Sequence, residues 1–435
     1  MILVYTPKIT RRIEYIFKHI FINIIGLKVN FTSEVNEFVS FEGPKLSYAP
    51  KRLSNEFYIK SNSILLEQGF SDIEIDIKNW DDSKCFFHNE NGSIPFDIFA
   101  ASFYLISRYE EYLPHLKDVY GRFSHQESIA YKNNFLEDPV IDIWAFKLKE
   151  SLCSFFPNII FDDRKFNLKT IIDVPSVYYY KNKGFLRTIG GVFTDLVRLK
   201  PKNIYTRLLV LFRLQKDPYD TFNWIINKQK QVSDKFLFFF LVGKFSTYDK
   251  NISLVKQPFI NIIKLVSDYS IIGLKLSFFA LSNLNILKKE KANIESITNR
   301  DLTISRNSFS KVNLPVNYRN LIKLNIREDY TMGYVNKIGF RASTCTPFLF
   351  YDIDNDIQTP LLINPYNLMD YSLLNINSFL DKKEKVIETI EKVKSVNGTF
   401  TSIFHNYSFS NDSRWNKFKE IFDIIINSNN DEQKL

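Results

Sequence analysis

Asn167–Tyr180, NLKTIIDVPSVYYY, is the stretch on which the reading of the fold turns. A mostly apolar run leads to Asp173, and Pro175 follows two residues later. An apolar run closed by a carboxylate and a proline reads as a buried strand whose last residue points into solvent or into a site. An acid at the C-terminal end of a buried parallel strand sits where α/β folds place their chemistry. An acid in that position can equally cap the following turn.

Downstream of this stretch, strand-like and helix-like runs alternate. The strand patterns fall at 235–242, 270–278, 302–307, 329–334, 348–351, 361–364 and 399–405. Helical spacing lies between most of them, at 219–231, 257–268, 281–297, 317–324, 382–396 and 416–425. Such alternation implies parallel strands joined by right-handed crossovers. Seven or eight units over about 270 residues fit a (β/α) barrel better than an open sheet. The polar run FDDRK at 161–165 marks a boundary. Residues 1–162 are thus expected to form a smaller α/β domain, and residues 163–435 the barrel.

In the first part, 1–6 and 27–32 read as strands, and Arg11–Ile25 as a helix with His19 on its surface. FSDIEIDI at 70–77 has the period-two pattern of a half-exposed strand. Pro95 and Asp97 suit a helix start, with Arg108, Glu110 and Glu111 at its far end as an internal salt-bridge cluster, the favoured reading, or an interdomain contact. Residues 138–156 are a further helical stretch.

The 435 residues are 45% hydrophobic and 16% aromatic, which excludes a disordered chain. The net charge of +9 is spread without a block of like charges, so no nucleic-acid-binding tail is expected. A basic surface favours anionic glycans or a membrane face, or is simply a solvated lysine-rich exterior. The three cysteines, Cys85, Cys153 and Cys345, have no paired spacing and suggest neither a disulfide framework nor a structural zinc site. No signal peptide and no spanning segment is apparent, so a soluble, cytoplasmic protein is expected.

The expected strand ends present Asp173, Gly243, Lys275 in GLKLSFF, Arg306 to Ser308 in SRNSF, Arg341 in GFRAST, Asp370 in NLMD and His405 in FHNYS. Two acids, several bases and a histidine at successive strand ends make a plausible constellation. Singly, Arg341 also reads as a surface ion pair, Asp370 as a helix cap and His405 as a core histidine.

The chain resembles the bacterial polysaccharide deacetylases, carbohydrate esterases with a NodB-type domain, and within them a subgroup with an extra N-terminal α/β domain. The resemblance is carried by ILVYTPKIT (2–10), PFDIFAASFYLISRYEEYLPH (95–115), QKDPYDTF (215–222), FFFLVG (238–243), STYDKN (246–251), LPVNYRNL (314–321), DYTMGY (329–334), GFRASTCTPF (339–348) and NGTFTSIFHN (397–406). It implies a distorted barrel of about seven strands. It also implies a chemistry in which a metal, usually zinc, held by one Asp and two His, activates water against an acetamide. By position, Asp173 matches the family's base, His405 its acid, and Arg341 the residue that orients the first Asp.

The metal positions depart from that pattern. The subgroup's Asp-Val-Asp is Asp173-Val174-Pro175 here, its Gly-Leu-His is Gly273-Leu274-Lys275, and its His after Ser-Arg-Gln is Ser308. Of five histidines only His405 lies beyond residue 163. No metal and no other cofactor is therefore expected, and Lys275 is expected to pair with Asp173. Three functions follow from the resemblance. The first is a degenerate deacetylase that binds acetylated polysaccharide or oligosaccharide, with Tyr178, Tyr179 and Phe279 stacking on sugar rings. The second is an active metal-dependent N-deacetylase that draws ligands such as His115 or His125 from the first domain. The third is a partner-binding scaffold.

Overall fold

The computed structural model describes residues 1–429. β1 (Ile2–Tyr5), β2 (Val29–Thr32), β3 (Lys45–Ala49) and β4 (Phe57–Lys60) form a parallel sheet in the order β2-β1-β3-β4. Thr10 starts the helix Arg11–Lys18 by accepting the Ile13 N–H, and the chain continues as a wider π turn over His19–Ile24. His19 is buried against Phe348 and is not the surface residue its helical setting suggested. Burial lowers its pKa to about 4.

Asp97 caps the fully buried helix Ile98–Ile106, accepting from the N–H groups of Phe99 and Ala100 and from the Tyr48 hydroxyl. β5 (Lys78–Trp80) and β6 (Ser83–Cys85) make a small antiparallel hairpin. Residues 70–77 form no strand, contrary to their alternating pattern. Ile73, Ile75 and Ile77 pack against the core, but the segment pairs with no strand edge.

The second sheet has nine strands: β7 (Asn167–Val174), β8 (Leu237–Leu241), β9 (Ile271–Leu276), β10 (Ile304–Asn307), β11 (Glu328–Asp329), β12 (Phe348–Asp352), β13 (Ile357–Ile363), β14 (Leu368–Met369) and β15 (Thr399–His405). Their order is β12-β13-β11-β10-β9-β8-β7-β15-β14, parallel throughout except for the β12–β13 hairpin. The end strands β12 and β14 are not hydrogen-bonded to each other. The sheet is nonetheless curled. Ile171 of β7, Phe239 of β8, Ile304 of β10, Tyr366 and Ile403 of β15 meet in one inner cluster. Lys169 of β7 crosses the interior to donate to Asn364 at 2.7 Å. The opposite face is covered by helices including Phe222–Gln229, Gln257–Ser267, Leu284–Thr298 and Phe379–Lys394.

Two elements differ from the expected alternation. Only Glu328–Asp329 forms a strand where 329–334 was expected, because the Asp329 carboxylate accepts the N–H and hydroxyl of Thr331 and turns the chain. β12 and β13 are joined by a tight turn too short for a crossover helix, so they pair antiparallel.

The two sheets share one apolar core. Tyr15 packs on Tyr351 at 4.9 Å, and buried Arg12 pairs with Asp356 at 2.7 Å. Arg341 grips Glu111 through two hydrogen bonds of 2.9 and 2.8 Å, and Glu111 also accepts from Arg108. Breaking a buried ion cluster strands the remaining charges. Glu111→Ala is expected to cost about 3–5 kcal/mol in chemical denaturation. Unfolding should remain a single transition followed by both near-ultraviolet and far-ultraviolet circular dichroism. A separate early transition, or no loss of stability, would contradict the shared core.

Candidate functional site

Alternation along β7 turns Ile171 and Asp173 to the inner face and Ile172 and Val174 to the helices. Asp173 is fully buried. β15 runs beside β7 with His405 opposite Asp173, and Arg306 of β10 lies opposite Lys275 of β9. The site is therefore assembled at the C-terminal ends of parallel strands, with reach across the curl. Gly273 lies beneath it, and a Cβ there would run into the Phe239 ring.

Asp173 Oδ2 accepts from Lys275 Nζ at 2.7 Å and from Arg306 Nε at 2.9 Å. His405 Nε2 lies 3.7 Å from the same oxygen. Arg306 is fixed further by donating to the Tyr330 carbonyl (2.7 Å) and to Ser310 (3.0 Å), and its guanidinium lies over the Tyr366 ring at 4.9 Å. Burial would raise the Asp173 pKa, but the charges of Arg306 and Lys275 outweigh it and hold the carboxyl well below its ordinary range. Burial lowers Lys275, with Asp173 opposing the shift and Arg306 adding to it.

Asp370, at the end of β14, orients the histidine. His405 Nδ1 and its backbone N–H both bond to the Asp370 carboxylate, at 3.0 and 2.7 Å, and Ser408 donates to it as well. With Nδ1–H donated to Asp370, Nε2 is directed at Asp173. His405 also stacks on Tyr407 at 4.9 Å.

Asp173, Lys275, Asp370 and His405 thus form one constellation. Ser308 follows β10, buried, with its hydroxyl unpartnered among the described residues. Arg341 stands apart from Asp173. It pairs with Glu111, and the orienting role the resemblance gave it is filled geometrically by Arg306. Arg306 stands with Ser308 at the strand end in SRNSF that the sequence offered, whereas Ser310 and Tyr366 were not among the candidates. Arg306's position near the end of a buried strand was the available signal, while the other two lie on loops and carry none. His115 Nδ1 donates to the Leu113 carbonyl and packs on Phe123, and His125 packs on Tyr131 and Tyr334; neither joins Asp173.

A divalent metal does not fit these residues. Of the three positions that match the family's ligands, Pro175 offers no donor, Lys275 brings a cation and Ser308 a hydroxyl, and the neighbouring carboxylate of Asp173 is already held by Lys275 and Arg306. At about 4 Å and an effective dielectric of about 20, a dication and one ammonium repel by about 8 kcal/mol, and two such terms offset the ~10–16 kcal/mol of a good zinc site.

A cavity of about 530 Å³ opens past the ends of β8 and β9, among Phe245, Asp249, Ser277, Phe279, Asn283 and Glu290; its wall includes Ser277, two residues beyond Lys275, but not the cluster itself. Burial lifts the Glu290 carboxyl to about 7 against the hydrogen bonds from Ser277. A larger hollow of about 730 Å³, between Phe41 and Phe156, lies in the first part of the chain, away from these residues.

A family model described as a family of unknown function, DUF7033, matches residues 2–157. No curated protein matches the chain in sequence. Among solved structures, the chain is similar to a protein from Mycobacterium smegmatis designated a polysaccharide deacetylase (11% identity, TM-score 0.38, covering 62% of this chain and 87% of that one). It is similar also to a mutant CE4 family pseudoenzyme with restored enzymatic activity (11% identity, TM-score 0.32, 62% and 64% covered) and to PuuE allantoinase (9% identity, TM-score 0.37, 60% and 84% covered).

Charge balance in the triad sets an asymmetry. Asp173→Asn leaves two buried cations facing each other and is expected to cost about 3–5 kcal/mol, whereas Lys275→Met leaves a neutral pair and costs about 1 kcal/mol or less. The folded-state pKa of Asp173 lies below the unfolded value. Its contribution is therefore complete above about pH 4 and lost as pH falls further. Denaturation of both variants from pH 3 to 7 tests this (about one unit per step). Equal costs, or a larger loss for Lys275→Met, would refute the assignment.

Proposed function

We propose that this chain is a deacetylase-like protein that binds N-acetylated glycan and does not hydrolyse it by metal-assisted chemistry. The observation that carries this reading is the Lys275–Asp173–Arg306 cluster, at 2.7 and 2.9 Å, where the resemblance would put a metal ligand. An ammonium and a guanidinium neutralise the buried carboxylate, but neither generates a hydroxide nucleophile. His405 and Asp370 persist as the remnant of an acid pair with no activated water to serve.

Glycan is best accommodated in the cavity past the ends of β8 and β9. Phe279 is half exposed there and offers an apolar ring face, while Asn283 and Asp249 supply polar partners for hydroxyl and acetamido groups. Tyr179, partly exposed and packed on Tyr219, extends an aromatic surface nearby; Tyr178 is buried. An active metal-dependent N-deacetylase remains the competing reading, and it would require donors carried to Asp173 from elsewhere.

Purified protein incubated with N-acetylglucosamine oligomers is expected to release no acetate, with or without added zinc. Calorimetry should detect binding of those oligomers, weakened about fivefold by Phe279→Ala. The triple variant Pro175→Asp, Lys275→His, Ser308→His is expected to gain stoichiometric zinc. Chelator-sensitive acetate release by the unaltered chain would overturn this reading, and absence of oligomer binding would remove its glycan component.

A further inference from the structure

The segment between β7 and β8 holds two helices, Phe185–Val197 and Pro201–Leu211, that the sequence pattern did not announce. They are built inside out. Their contact holds a buried ion pair beside the buried Val210: Asp195 and Arg207, both largely buried, pair at 2.5 Å, and Gly191 leaves room for the guanidinium, which lies over Tyr180. Their outer surface is apolar. Phe185, Leu186, Phe193, Leu199, Phe212 and Leu214 are each between 67% and 87% exposed. Contiguous exposed apolar surface of this kind marks an interaction site.

The charge around that surface has one sign. Residues 185–216 contain seven Lys and Arg and a single acid, Asp195, which gives +6 of the chain's +9. Arg207 is taken by Asp195; the other six cations, among them Arg198, Lys200 and Arg213, are exposed. An exposed apolar face rimmed by lysine and arginine is the signature of a helix lying in an anionic lipid interface. Neither helix can span a bilayer: 13 residues rise about 20 Å, short of the ~30 Å hydrocarbon core. A second copy fits poorly, because a two-fold contact through this face would set cation against cation.

We propose that the hairpin 185–214 seats this protein on an anionic membrane surface, its apolar side chains entering the headgroup boundary and its cations facing lipid phosphates. The neck of the hairpin is rigid. The Asp217 carboxylate accepts the N–H groups of Tyr179, Tyr180 and Lys181 at 2.7–3.0 Å. Arg187 lies over the Phe245 ring at 4.5 Å and donates to the Asn251 carbonyl. The hairpin thus leaves from the strand ends that carry Asp173 and His405, and docking brings the cavity at Phe245 to the bilayer surface. This inference does not depend on the glycan reading, and its test reads lipid alone.

The test is flotation of the purified full chain with vesicles of phosphatidylcholine, with and without about 30% phosphatidylglycerol. Binding to the anionic vesicles, little to the neutral ones, and release by high salt are expected. Phe193→Asp with Leu199→Asp, and separately Arg198→Glu with Lys200→Glu, should each lower partitioning about tenfold or more. These side chains are exposed, and an unchanged circular dichroism spectrum would show the fold intact. No flotation with anionic vesicles, or flotation unaltered in both variants, overturns the proposal. A concentration-dependent oligomer that the same substitutions dissolve, without flotation, overturns it in favour of self-association.

Discussion

A carboxylate removed from water must find cations or give up its charge, and Asp173 has found two. Its Oδ2 takes Lys275 and Arg306 together, with His405 Nε2 behind them. The three partners come from β9, β10 and β15, so the interaction ties the interior of the curled sheet across several strands. The desolvation of three charged groups is recovered only because the geometry is tight and Arg306 is satisfied again by Tyr330 and Ser310. The same cluster places two cations where a divalent metal would meet direct repulsion.

The histidine side of the site is arranged separately. Asp370 holds His405 through both Nδ1 and the backbone, and Ser408 and Tyr407 fix the pair from behind. The histidine–carboxylate pair thus stands beside a second carboxylate held by cations. The inside-out helical hairpin adds a second feature at the same end of the sheet. Polar groups are hidden between its helices and apolar ones displayed, the reverse of what water selects.

Much of the second half was legible along the chain because its strands are short, apolar and closed by polar turns. The pattern at 399–405 coincides with β15, and that at 257–268 differs from the observed helix by one residue. Where local pattern misled, a tertiary partner was missing or unforeseen. Residues 70–77 alternate like a strand but have no edge to join. His19 lies on a helix that two sheets enclose, so a mixed local pattern hid its burial. The hairpin after β7 was missed because its apolar residues face outward and two adjacent glycines weaken the helical signal.

The sequence by itself determined which donors the three positions matching the family's metal ligands can offer. Proline at 175, lysine at 275 and serine at 308 cannot supply the donors of a zinc site, whatever the fold around them. It also determined the alternation of strands and helices, since periodicity is a local property. Lys275 was legible as one partner of Asp173; only the tertiary structure decided which arginine joins it. Arg306 and Arg341 are equally basic in sequence, but the strand register brings Arg306 to 2.9 Å of the carboxylate while the packing of the first sheet draws Arg341 to Glu111. Partner choice among buried charges is set by register and curl, and neither is written in the spacing of residues along the chain.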